Sequence, residues 1–90
     1  MTESVETRRK RLRFRSWHRG TREADLLLGP FADAMLAAMS PAQLDRYEAL
    51  IGESDDTLYD WIAGRAVPPP EHDNDVLRLL LEHRSRVRPA

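Results

Sequence analysis

The chain has 90 residues, no cysteine and a formal net charge of −1, and 41% of its residues are hydrophobic against 32% charged. A chain of this length has room for one domain with a modest core, and this balance of apolar and charged residues excludes wholesale disorder. Without cysteine, a disulfide framework, a thiolate nucleophile and a zinc–thiolate site are excluded.

Membrane insertion and secretion are also disfavoured. No apolar stretch approaches the roughly 20 residues that a membrane-spanning helix needs. The basic N-terminus has neither an apolar segment nor a small-residue cleavage site after it, unlike a secretory signal. We therefore expect a cytoplasmic protein that does not insert into a membrane.

The charges are distributed unevenly along the chain. Residues 1–22 contain eight Arg or Lys against two Glu, whereas residues 23–90 contain six against thirteen acidic residues. A basic end of this kind can bind acidic protein surfaces, nucleic acid or anionic lipid, and the charge alone does not choose among them.

The first predicted helix covers residues 6–18 and is rich in good helix formers. Leu12 and Phe14 are two positions apart and cannot share the centre of one helical face, so we expect one aromatic side chain to be half exposed or in contact with a later helix. We expect Trp17 to be a core anchor, because burying a Trp removes a large apolar area from water. Residues 1–5 and 87–90 are predicted to be flexible.

The second predicted helix covers residues 22–39, with a kink or restart at Gly29–Pro30, because Pro30 lacks a backbone donor. Its second half has apolar residues at the spacing of one buried stripe: Phe31, Met35, Leu36 and Met39. The next helix starts with Ser40 as N-cap and Gln43 as the partner in a capping box. Its predicted buried face consists of four residues: Leu44, Tyr47, Leu50 and Ile51.

Two further helices complete the predicted fold. Ser54 caps a short helix that ends at Ala63, with Gly64 as its stop signal. A proline-rich connector leads to a last helix over residues 71–86. No run of β-branched residues with strand-like alternation competes with this pattern. The sequence thus predicts a single all-α domain over residues 1–90, a compact bundle of about five short helices.

The turn between the first two helices concentrates charged residues. Gly20 is predicted to adopt a left-handed conformation that stops the first helix, and Thr21 to cap the second. Glu23 then lies in the first turn of that helix, at the positive end of its dipole, with Arg19 close to it across the turn. An ordinary interhelical turn would also explain these residues.

Catalytic and cofactor-binding patterns are missing. His18, His72 and His83 have no zinc-like spacing, and helix capping explains Asp55 and Asp56. Neither a P-loop nor a dinucleotide-binding glycine motif occurs. We expect no catalytic residue, no metal site and no dedicated cofactor motif, and for His18 a hydrogen-bonding or stacking role.

Several motifs occur in a characteristic order. Arg19, Gly20 and Glu23 form an R-G-x-x-E pattern, an L-L-L-G-P-F run follows at residues 26–31, and residues 55–64 read D-D-T-L-Y-D-W-I-A-G. In this order, the motifs resemble the FAD assembly factor family of succinate dehydrogenase and fumarate reductase, over roughly residues 9–81. His18 departs from the family pattern, which more often has a second arginine there.

The resemblance implies a small helical chaperone rather than an enzyme. Such a protein binds the flavoprotein subunit of succinate dehydrogenase or fumarate reductase and promotes covalent attachment of FAD, which the partner handles. We also expect a monomer that binds no nucleic acid. Three residues are the implied partner contacts, with three neighbours as further candidates: Arg19, Gly20 and Glu23, then His18, Arg22 and Asp25.

Two alternatives stay open at this point. The arginine-rich residues 8–22, with Phe14 and Trp17 interleaved, are also typical of a small nucleic-acid-binding module. The sequence pI of 6.3 and the acidic remainder count against that function. The second alternative is a helical adaptor that has no part in flavin attachment.

Overall fold

The computed structural model describes residues 3–86, with side chains through residue 84. Within this part of the chain there are five α-helices, one short 3-10 helix and no strand, which confirms the all-α prediction. The elements are α1 (Val5–Trp17), α2 (Arg22–Met35), the 3-10 helix (Leu36–Ala38), α3 (Pro41–Leu50), α4 (Asp55–Ile62) and α5 (Asp75–Arg86).

The chain divides into two compact units, Met1–Leu44 and Asp45–Ala90. The boundary falls inside α3, and the prediction of a single domain stays a prediction. Of the segments predicted to be flexible, residues 1–2 and 87–90 lie outside the described residues. Ser4 caps α1 by accepting a hydrogen bond from the Thr7 backbone at 3.1 Å, and Glu3 pairs with Arg11 at 2.9 Å.

In the first unit, α1 contributes a narrow buried face to its contact with α2. Leu12 and Ser16 are fully buried, one helical turn apart. The Ser16 hydroxyl donates to the Leu12 carbonyl at 2.7 Å, so this buried polar group is satisfied within the helix. Phe14 is 63% exposed, which confirms that one aromatic residue of α1 faces solvent.

Helix α2 continues through Pro30, so the predicted restart does not occur, whereas a kink at this position stays a prediction. Proline removes only one helical hydrogen bond, the one to the Leu26 carbonyl. Leu26 is itself 55% exposed, so this turn of α2 lies at the surface. The predicted apolar stripe is buried at Phe31, Leu36 and Met39, while Met35 is half-buried.

Helix α3 begins with the predicted capping box. The Ser40 backbone donates to the Gln43 side chain at 3.0 Å, and the Gln43 backbone donates to the Ser40 hydroxyl at 3.2 Å. The four residues predicted for the buried face are at most 1% exposed, the last of them directly after the helix ends: Leu44, Tyr47, Leu50 and Ile51.

In the second unit, α4 also begins as predicted, with Ser54 accepting a hydrogen bond from the Thr57 backbone. Helix α5 begins at Asp75, four residues later than predicted. The carbonyl of Pro69 accepts from the backbones of His72 and Asp73, which turns the chain before the helix. Asn74 then accepts from the Val76 and Leu77 backbones, at 3.1 and 3.3 Å.

Candidate functional site

The predicted contact residues lie together at the junction of α1 and α2. This segment, His18–Asp25, is called the corner below. It follows the last residue of α1 and ends in the first turn of α2. The corner therefore belongs entirely to the first unit.

His18 closes α1 with both its backbone and its side chain. The His18 backbone N–H donates to the Arg15 carbonyl, and its ring Nδ1 lies 2.6 Å from the Phe14 carbonyl oxygen. A carbonyl oxygen only accepts, so Nδ1 carries the proton. The imidazole also stacks on the Phe14 ring, with centroids 3.9 Å apart and planes 18° from parallel. The predicted hydrogen-bonding or stacking role of His18 is confirmed in both forms.

Asp25 holds the two ends of the corner together. Its carboxylate accepts a hydrogen bond from the Arg19 backbone N–H at 2.6 Å. A hydrogen bond to an ionised carboxylate is among the stronger ones in proteins. The sequence predicted Arg19 beside Glu23, but the carboxylate fixed across the turn is that of Asp25.

Gly20 has a positive φ of 108°, a region that side-chain-bearing residues rarely adopt. A Cβ atom added to Gly20 would have no heavy atom within 4 Å. The backbone conformation, not crowding within the chain, therefore requires glycine here. The space beside Gly20 is open to another molecule.

The start of α2 presents two exposed charges. Thr21 caps the helix by accepting a hydrogen bond from the Ala24 backbone at 3.2 Å, as predicted. Arg22 and Glu23 follow in the first turn and are exposed. Within residues 3–86, the Glu23 carboxylate has no hydrogen bond or ion pair. It is favoured only by the helix dipole, so it is available to an incoming group.

Trp17 positions α1 against α2. It is half-buried rather than the predicted core anchor. Its ring lies so close to Gly29 that an added Cβ would overlap the ring carbons. The indole Nε1 lies 3.3 Å from both carboxylate oxygens of Asp33. The sequence predicts a helix interruption at Gly29, whereas in the structure the missing side chain of Gly29 makes room for the indole ring of Trp17.

Arg9 is a structural residue that the sequence did not single out. Its guanidinium donates to the carbonyl oxygens of Leu36 and Met39, each at 2.9 Å. These carbonyls lie at the end of the α2 and 3-10 segment, where backbone acceptors lack helical partners. Arg9 is one of six Arg or Lys within residues 8–15, and no local pattern distinguishes it from the others.

A cleft of about 400 Å³ runs along α1 next to the corner. Its lining combines two cations with three rings: Lys10, Arg13, Phe14, Trp17 and His18. A second cleft, of about 220 Å³, lies between α1 and the α2 and 3-10 segment and is lined in part by Arg9 and Asp33.

Within residues 3–86, no group of three His, Asp or Glu side chains is arranged to hold a metal ion. No helix of that part is both long and apolar enough to cross a membrane.

Comparisons with known proteins give a consistent result. Residues 10–84 match the model of a protein family described as flavinator of succinate dehydrogenase. The chain is 38% identical over 86 residues to a protein of Acetobacter pasteurianus named FAD assembly factor SdhE. That match covers 96% of this chain and 78% of the relative.

Mitochondrial proteins are similar as well. Succinate dehydrogenase assembly factor 2 of Dictyostelium discoideum is 37% identical over 79 residues, which is 88% of this chain and 56% of that protein. Succinate dehydrogenase assembly factor 2-A of Drosophila mojavensis is 40% identical over 83 residues, 90% of this chain and 53% of the relative. The chain thus spans little more than half the length of these mitochondrial relatives.

Proposed function

Because the chain belongs to the flavinator of succinate dehydrogenase family, whose members are assembly factors of that enzyme, we propose that it binds the flavoprotein subunit and promotes covalent attachment of FAD. We also propose the flavoprotein subunit of fumarate reductase as a second partner. The chain acts as a chaperone, and the partner holds the flavin and carries out the attachment.

The observation that carries the proposal is the geometry of the corner. Its backbone is fixed by the hydrogen bond between Arg19 and Asp25 and by the cap at Thr21. The space beside Gly20 is open, and Glu23 is exposed without a partner in the described residues. A fixed backbone with an available charge loses little conformational entropy when it binds another protein.

Orientation is the effect that such a chaperone can supply. Correct placement of reacting groups can contribute about 7–11 kcal/mol to lowering a barrier. If the corner binds best to the flavoprotein conformer in which FAD and its acceptor side chain are aligned, binding raises the population of that conformer. Arg19 and Glu23 make the charged contacts, and Gly20 lets the two backbones approach closely.

The nucleic-acid alternative is weakened by how the cations of α1 are used. Arg9 is bound to two carbonyl groups, and Arg11 pairs with Glu3 at 2.9 Å. Binding to a phosphate backbone depends on many unengaged cations, and these two arginines of the helix are held by groups of the chain itself.

A reconstitution with Glu23→Ala tests the proposal. Purified apo-flavoprotein subunit is mixed with FAD and the chaperone, and covalent flavin is measured by in-gel fluorescence after denaturation. We expect Glu23→Ala to slow attachment about tenfold, a loss of about 1.4 kcal/mol of partner interaction. The melting temperature should be nearly unchanged, because the carboxylate has no bond to any described residue.

Glu71→Ala is the matched control, since Glu71 is also an exposed glutamate but lies in the second unit. It should support attachment at the wild-type rate. Equal covalent flavin with and without the wild-type chain would refute the proposed function. A collapse in stability on replacing Glu23 would instead make that residue structural.

A further inference from the structure

The exposed face of α1 carries a row of rings and cations that leads to the corner. Lys10, Phe14 and His18 follow one another at intervals of four residues and are all exposed. Arg13 and Trp17 flank them along the cleft of about 400 Å³. These five residues are called the α1 stripe. From residue 10 to residue 18 the stripe is about 12 Å long, at 1.5 Å per residue.

Phe14 is held in place although it is largely exposed. The residue is 63% exposed, and the His18 ring stacks against its ring. The bond between His18 and the Phe14 carbonyl fixes the imidazole in turn. An aromatic side chain that is already ordered loses little rotamer freedom on binding, so it is suited to receive an apolar group of a partner.

The two cations of the stripe have no strong ion pair in the described residues. Within the described residues, Lys10 has no ion pair or hydrogen bond. Arg13 shares Asp33 with the Trp17 indole, and the side chains of Arg13 and Asp33 are 55% and 50% exposed, so that ion pair is weak. Two available cations about one turn apart can pair with one or two carboxylates.

We propose that the α1 stripe docks an acidic segment of the flavoprotein subunit. This segment presents a carboxylate to Lys10 and Arg13 and an apolar side chain to Phe14. The inference rests on the proposed function and extends it, because His18 belongs to both the stripe and the corner. Contact at the stripe enlarges the interface along α1 and fixes the direction in which the corner meets its partner.

Two substitutions test the stripe in the full chain. Lys10→Glu reverses the charge, and Phe14→Ala removes the exposed ring. Affinity for the purified apo-flavoprotein subunit is measured by calorimetry at low and at physiological salt. We expect each substitution to weaken binding about tenfold, and the effect of Lys10→Glu to shrink as salt screens the charges. Circular dichroism should show unchanged melting temperatures, since both side chains are exposed.

Matched controls lie in the second unit. Arg84→Glu makes the same change of charge at another exposed position, and Val67→Ala truncates a side chain that is 90% exposed. Both should bind within twofold of wild type. If the two stripe variants also bind like wild type while Glu23→Ala binds more weakly, the stripe proposal fails and the proposed function stands. If the wild-type chain neither binds the subunit nor promotes flavin attachment, both fail.

A photo-crosslinking residue at position 14 identifies the occupant. The expected product joins the chain to a flavoprotein segment rich in Asp and Glu, located by mass spectrometry. A crosslink to a flavoprotein segment without acidic residues, to a second copy of this chain or to nucleic acid would overturn the proposal.

Discussion

Two turns of the chain each contain a glycine with a positive φ, but the charged side chains beside the two glycines pair differently. Gly20 follows α1 with φ 108°, and Gly64 follows α4 with φ 75°; neither would crowd a neighbour if it carried a Cβ. At the second turn the nearby charges pair with each other, Asp60 with Arg65 at 2.9 Å. At the first, Glu23 has no such bond in the described residues. A glycine turn is thus only a structural signal, and the unused charge beside it is what indicates a function.

The largest expected effect comes from disrupting the close contact between Gly29 and Trp17, which positions the first turn. In Gly29→Ala the new methyl group overlaps the middle of the Trp17 ring, so the indole must leave its place. Overpacking of this kind costs about 1–3 kcal/mol, more than the roughly 1 kcal/mol that alanine gains in a helix. Because the whole indole is displaced, we expect a net loss of about 2 kcal/mol, which lowers the melting temperature by about 10 °C.

A variant that combines Trp17→Ala with Gly29→Ala shows whether the indole ring causes the loss of stability. In a Trp17→Ala background the obstacle is gone, so Gly29→Ala should now stabilise the chain through helix propensity. Thermal denaturation followed by circular dichroism measures both backgrounds. Stabilisation by Gly29→Ala in the wild-type chain would contradict the contact between Trp17 and Gly29.

The two glycine turns can be compared directly with Gly20→Arg and Gly64→Arg. Each substitution places a side chain at a positive φ and should cost on the order of 1–2 kcal/mol of stability. Only Gly20→Arg should block docking, because the open space it fills belongs to the corner. Covalent flavin formation is therefore expected to be lost with Gly20→Arg and kept with Gly64→Arg at a temperature where both variants are folded. Equal activity of the two variants would remove the functional distinction between the turns.

Local chemistry explains why much of the fold could be predicted. The capping box of Ser40 and Gln43 joins residues three positions apart, and the Ser54 cap does the same, so both are visible in the sequence. Helix α5 starts later than the sequence predicts. The backbone N–H groups of His72 and Asp73 donate to the Pro69 carbonyl in the turn before the helix. The Asn74 cap was the local signal that could have placed this helix correctly.

The supports of the corner depend on distant residues. Arg9 reaches carbonyl groups 27 and 30 positions away, and Trp17 reaches Asp33, 16 positions away. Neither pairing follows from periodicity, because periodicity shows which face of a helix is apolar and not which residue it meets. The motif at Arg19–Glu23 could be found in the sequence, whereas the scaffold that holds it required the structure.

The last comparison, which includes the smallest expected effect, concerns the carboxylates that close the two turns. Asp25 bonds a backbone N–H at 2.6 Å in a partly buried position, whereas Asp60 pairs with an exposed arginine. We expect Asp25→Ala to lower the free energy of unfolding by about 1.5 kcal/mol, because the Arg19 N–H loses a charged acceptor. Asp60→Ala should cost less than about 0.5 kcal/mol, as is usual for surface ion pairs. Urea denaturation measures both. Asp25→Asn keeps an acceptor oxygen and should fall between Asp25→Ala and wild type; if it is no more stable than Asp25→Ala, the hydrogen bond to Arg19 is not what closes the corner.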